Sequence, residues 1–148
     1  MLDKMKALIR RMSSCVLATT DGAVPHCSLM AYLVDEECES LYLATPRDTL
    51  KYRNICHHPH VSLLIDTRGE TDRGRVMALT IAGECQEVNS EKERIIISKR
   101  FSAKHQHLKD FLQKHEMAFV RIVIKNFLLL DGPDQSHHEN IKLGSMDI

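Results

Sequence analysis

Hydrophobic and polar positions along this chain fall mostly into short alternating blocks separated by turn residues, with helical spacing in only a few places. Residues 14–20, built around Cys15-Val16-Leu17-Ala18, read as a strand that stops at the Asp21-Gly22 turn. After Pro25, residues 26–34 read as a second strand, closed by the polar run 35–40; residues 41–45 make a third. Residues 61–65 form a short apolar run, expected to be buried on both faces. Residues 76–88 predict a long strand broken near Gly83 by a bulge or bend. Residues 118–130, rich in Val, Ile and Phe, supply the closing strand.

Helical spacing appears first at residues 3–12, which alternate apolar and charged positions. A second, short helix is expected after the third strand, with Thr45 as N-cap, Pro46 at the first helical position and Asp48 in the first turn, running to His58. Ser90 is placed to cap a third helix, with Glu93 as its capping-box partner, and residues 104–115 continue helically with Leu108, Phe111 and Leu112 on one side. Residues 67–75 are polar with two glycines and predict an exposed loop. The remainder, residues 132–148, is polar and rich in turn formers, and reads as a tail or a partner-contacting arm following one domain of residues 1–131. Strands joined mostly by short turns, with one helix after the third strand and two before the last, argue against a βαβ array. They favour a mainly β, six-stranded antiparallel barrel with helices packed outside.

Chemistry concentrates in the second helix. Arg47 and Lys51 are four residues apart, so an early helix start places both cations on one face beside the free amides and positive dipole end. That combination suits a phosphate; the plainer alternative is that Asp48 pairs with Lys51 and Arg47 is solvated.

The 148 residues carry 20 basic and 20 acidic side chains, so any anion site must be local and no general affinity for nucleic acid or anionic membrane is expected. No signal-peptide core or spanning apolar stretch is visible, which predicts a cytoplasmic protein without membrane association. Five cysteines (15, 27, 38, 56, 85), odd in number and without a CxxC, argue against a disulfide framework. Cys56-His57-His58-Pro59-His60 is too fanned out by Pro59 to converge on a metal, so no metal is expected.

The ordered series "DG turn, P-H-x-S strand, LYLAT, R-x-T-x-K-x-x-N-I, PxVSLLID" resembles the pyridoxamine 5'-phosphate oxidase-like family, the FMN-binding split barrels, over about residues 13–90. The resemblance implies a homodimer with FMN in a groove between subunits. It places Lys51 on the flavin phosphate, with Arg47, Thr49 and Leu50 beside it, Thr45 near the ring or ribityl chain, and Ser28-Leu29-Met30-Ala31 along the flavin. Cys27, His26, Tyr32 and Tyr52 are either pocket neighbours or packing residues. The chain lacks the basic C-terminal portion with which pyridoxamine phosphate oxidases grip their substrate, so vitamin oxidation is not expected. The implied activity is FMN-dependent redox chemistry on an unidentified small molecule, with no catalytic residue assignable because the flavin supplies the chemistry. The alternatives are a flavin-binding module or electron carrier without turnover, a haem-binding protein using histidines such as the His57-His58-x-His60 group and the His137-His138 pair, and a deazaflavin in the same groove.

Overall fold

In the computed structural model, described for residues 1–70 and 74–141, one antiparallel sheet of eight strands curls into an open half-barrel. Helix α1 (Leu2–Arg11) precedes strands β1 (Ser14–Thr20), β2 (Pro25–Ala31), β3 (Leu33–Val34) and β4 (Ser40–Pro46). Helix α2 (Leu50–His57) leads to β5 (His60–Asp66) and β6 (Met77–Glu87). Helix α3 (Glu91–Lys104), a single 3-10 turn (Gln106–Leu108) and α4 (Lys109–Lys114) come before β7 (Met117–Asp131) and β8 (Ser136–Asn140). The spatial order is β2-β1-β5-β6-β7-β4-β3, with β8 also on β7. No described helix is long and apolar enough to cross a membrane.

Alternation decides what the sheet buries. Leu17, Val61, Leu63, Ile65, Leu79, Ile81, Phe127 and Leu129 point into the half-barrel, where Met5, Leu8 and Ile9 of α1 close the core. A smaller core of Leu33, Val88, Ile97, Phe101, Met117 and Phe119 lies under α3. Ser90 accepts a hydrogen bond from the Glu93 amide and starts α3 as its sequence predicts, but the Glu93 carboxylate pairs with Arg121 rather than completing a capping box. The register shift expected near Gly83 falls between Ala82 and Gly83. A Cβ on Gly83 would lie 2.5 Å from Ile122 Cγ2, so the strands meet there at backbone distance.

Several expectations are corrected. The sheet has eight strands rather than six, because residues 26–34 break at Tyr32 and residues 136–140 pair with β7. The Tyr32 hydroxyl donates to the Ile9 carbonyl at 2.6 Å, which ties α1 to this break. Residues 61–65 are not buried on both faces: Val61, Leu63 and Ile65 point inward, while Ser62 and Leu64 are half-exposed. Residues 104–115 split into the 3-10 turn and α4, with the buried His105 capping α3 and its Nε2 2.9 Å from the Tyr32 carbonyl oxygen. Thr67, in the stretch expected to be exposed, is buried and accepts from the Met77 amide. Residues 71–73 of that loop, and residues 142–148 of the expected tail, lie outside the described residues.

Candidate functional site

Thr45 is not the cap of α2. Strand β4 continues through Thr45 and Pro46, paired with Ala118 and Met117 of β7. Pro46 fits there because β3 covers only Tyr42 and Leu41 on the opposite edge, so no ladder bond is lost to the missing amide. Thr49 is the N-cap instead: its Oγ1 accepts from the Tyr52 amide at 3.3 Å and lies 3.1 Å from Thr45 Oγ1. The amides of Leu50 and Lys51, at the helix start, find no acceptor among the described residues. Asn54 fixes α2 to the barrel, its Nδ2 donating to the buried Thr19 Oγ1 at 3.1 Å.

With the helix starting at Leu50, Arg47 and Lys51 no longer share a helical face. Arg47 sits in the connection before α2, 2.7 Å from Glu87 Oε2 of β6 and 3.5 Å from Glu116 Oε1. Its Nη1 also donates to the Tyr52 hydroxyl at 2.7 Å, and Tyr52 in turn donates to Glu87 Oε1. The bond to Glu87 pushes the Tyr52 hydroxyl up to about 12. Burial pushes the Glu87 carboxyl up, but hydrogen bonds from Tyr52 and Arg47 outweigh it and hold it below the usual range.

The Lys51 ammonium, by contrast, makes no hydrogen bond or ion pair among the described residues. It lines a cavity of about 160 Å³ together with Leu29, Met30, Ala31, Ala44, Pro46, Leu108 and Phe111. Three of the flavin-strand residues expected from sequence thus meet the expected phosphate lysine. Ser28 lies on the same strand, half-buried, outside the lining. Thr45, Arg47 and Thr49 are also outside the lining, with their polar groups engaged in capping and in the Glu87 network. Leu50 faces a different cavity. For Ala44, Pro46, Leu108 and Phe111 the sequence carries one site signal, the shared face of Leu108 and Phe111 in residues 104–115.

Strand β2 is an edge, and its Leu29 is 79% exposed. Strand register sets Leu29, Val16, Leu64, Thr80, Leu128 and His138 in one outward row across six strands. A neighbouring row of Cys27, Ala18, Ser62, Ala82 and Asn126 holds only small or short side chains.

The family description for pyridoxamine 5'-phosphate oxidase matches residues 1–130. Among solved structures, a heme binding protein from Mycobacterium smegmatis superposes with a TM-score of 0.77 at 15% identity, over 93% of this chain and 56% of that one. An FAD-binding protein from Mesorhizobium loti gives 0.73 at 15% identity, over 95% of each chain. General Stress Protein 26 from Bacillus anthracis gives 0.72 at 17% identity, over 94% of this chain and 97% of that one. At these identities the likeness is one of fold. No curated protein matches the chain. A family match across nearly the whole chain, carried on an open antiparallel half-barrel, shows that the chain belongs to the pyridoxamine 5'-phosphate oxidase-like split-barrel family.

Proposed function

We propose that this protein is an FMN-binding oxidoreductase acting on a small molecule, as a homodimer. The observation that carries the proposal is the cavity in which the Lys51 side chain, without a partner among the described residues, shares the lining with Leu29–Ala31 of β2, on a helix whose first two amides find no acceptor. A cation, backbone donors and a positive helix end together suit a phosphate monoester. The residues therefore fit the phosphate end of a flavin mononucleotide, with Lys51 as its counter-ion and the edge of β2 as the wall for the remainder. When bound, the flavin would supply the redox chemistry.

The chain's own contribution is binding, orientation and exclusion of water. A cavity of about 160 Å³ accommodates only part of such a molecule, which favours a second copy covering the exposed β2 edge and the apolar outward row. Leu108 and Phe111 provide an apolar side wall, and the Arg47–Tyr52–Glu87 network holds the connection leading into α2. The structural relatives include both flavin- and haem-binding proteins, but haem is poorly served by the His57-His58 pair. His57 and His58 line a cavity whose one apolar wall is Leu50, too little for a macrocycle.

The visible spectrum of the purified protein after incubation with FMN and gel filtration tests binding; a retained two-banded flavin spectrum is expected. Stopped-flow reduction by a nicotinamide donor, with and without acceptors, then separates an oxidoreductase from a flavin carrier. A protein that emerges colourless after incubation contradicts the flavin assignment.

A further inference from the structure

Helix α2 presents a second cation on a different side from Lys51. Two residues on, about 200° around the helix, Arg53 lines a cavity of about 340 Å³ with Asp21, Leu50, Asn54, His57 and His58. Every other described arginine donates to an acceptor in the chain. The Arg53 guanidinium has none among the described residues.

The imidazoles around it are oriented by their surroundings. His57 Nδ1 lies 2.9 Å from the Arg53 carbonyl oxygen. A carbonyl only accepts, so Nδ1 carries the proton and Nε2 keeps its lone pair. Nε2 can accept from the hydroxyl of a monoprotonated oxyanion, or donate once protonated. The His58 ring stacks against the turn at Gly22, whose φ of +101° suits glycine and where a Cβ would lie 3.0 Å from His58 Cε1. Asp21 is the one acidic group in the lining; it is ionised and close enough to His58 to interact with it electrostatically. Its Oδ1 accepts from the Ala23 and Val24 amides at 2.9 and 2.7 Å, which holds the carboxyl below its usual range. Asp21 thus offsets one positive charge, and the Arg53 guanidinium is left as the cationic donor of the lining with no acceptor among the described residues.

We propose that this cavity is a second anion site, which binds a small oxyanion (a phosphate or carboxylate group) through Arg53, His57 and His58. It is independent of the flavin assignment, because it uses another face of α2 and none of the residues lining the Lys51 cavity. An aromatic macrocycle is excluded by the polar walls, and a metal is disfavoured because no group of three or more ligating side chains forms among the described residues.

The test is a titration of the full-length protein with inorganic phosphate, followed by backbone amide and imidazole NMR signals, with sodium chloride at equal ionic strength as control. The expected result is that phosphate shifts the signals of residues 21–24 and 53–58, and that Arg53→Gln weakens this response about tenfold, as loss of a charge-assisted contact does. Lys51→Ala leaves the response intact. A parallel titration with acetate reports whether the site prefers phosphate or carboxylate. The proposal is overturned if chloride reproduces the shifts, if Arg53→Gln leaves them unchanged, or if phosphate perturbs only the surroundings of Lys51. A failure of the flavin assignment would show separately, in the FMN experiment.

Discussion

Arg47 and Glu87 form an ion pair of 2.7 Å that ties the connection between β4 and α2 to the end of β6, forty residues away. The pair redefines what Arg47 does. It neutralises a carboxylate and anchors the loop from which Thr49 caps the helix, so its main contribution is to shape the site rather than to stand free for a phosphate. Arg47→Ala should therefore lower stability as well as any ligand affinity, whereas Lys51→Ala should leave stability unchanged. Thermal denaturation of both variants without ligand checks this, and equal midpoints for the two would argue against the distinction.

The same network sets a pH dependence. Glu87 has its carboxyl held below the usual range, so it adds stability above the unfolded carboxylate range, and that contribution disappears as pH falls through the lowered value. Tyr52 shows the opposite sign. Its hydroxyl is pushed up to about 12, so its contribution is complete below the ordinary tyrosine value and is lost as pH rises toward 12. Glu87→Gln should cost about 1 kcal/mol near neutral pH, the modest figure of a partly exposed charged hydrogen bond. It should also flatten the acid limb of a urea-midpoint profile, and an unchanged limb would show that other carboxylates control acid unfolding.

Gly83→Ala probes the bulge in β6. The added methyl would meet Ile122 Cγ2 at 2.5 Å and the Val123 carbonyl oxygen at 2.9 Å, and the second of these is backbone that cannot rotate away. A loss of about 1–3 kcal/mol is expected, in the range of overpacking. Chemical denaturation measures it, and a neutral substitution would mean that β6 and β7 can separate locally at no cost.

Tyr32→Phe removes the hydroxyl that donates to the Ile9 carbonyl in the core. That carbonyl belongs to the last turn of α1, so the substitution leaves a helix-end acceptor unmatched. The expected cost is about 1–2 kcal/mol. Hydrogen exchange in α1 should rise before that of the central strands, and uniform loss of protection would contradict a local role.

Leu29→Glu places a charge in the outward row of the sheet, at a position 79% exposed in the single chain. A lone chain should tolerate it with little change in stability. In a homodimer that covers this face, the charge would be buried without a partner and the dimer would dissociate. Light scattering at micromolar concentration should give twice the chain mass for the wild type and once the chain mass for the variant. A wild-type monomer would remove the proposed assembly.

The strands were legible because their signal is local: alternation around Leu17, Leu63 and Leu79 and turn residues between blocks suffice. The Gly83 bulge and the Ser90 cap were legible for the same reason. The start of α2 was not, since Thr45-Pro46 and Thr49 offer two competing caps. The choice between them is made by β7, whose Ala118 and Met117 hold Thr45 and Pro46 in the sheet. Arg47 looked like a neighbour of Lys51 because its partner Glu87 is remote in sequence. Lys51 and Leu29–Ala31 could be assembled through the family likeness, and the structure brings them into one cavity. Pairing of residues 136–140 with β7 was hidden by their polar composition, which suits a strand exposed on its outer edge.

The central claim is that Lys51 and the start of α2 hold the phosphate of a flavin. It is tested most directly by comparing FMN with riboflavin, which lacks the phosphate, in equilibrium titrations followed by flavin fluorescence. Wild-type protein should bind FMN more tightly than riboflavin by a factor on the order of ten to a hundred, and Lys51→Ala should erase most of that difference. Equal affinities of the wild-type protein for the two flavins, or a preference for FMN that survives Lys51→Ala, would contradict it.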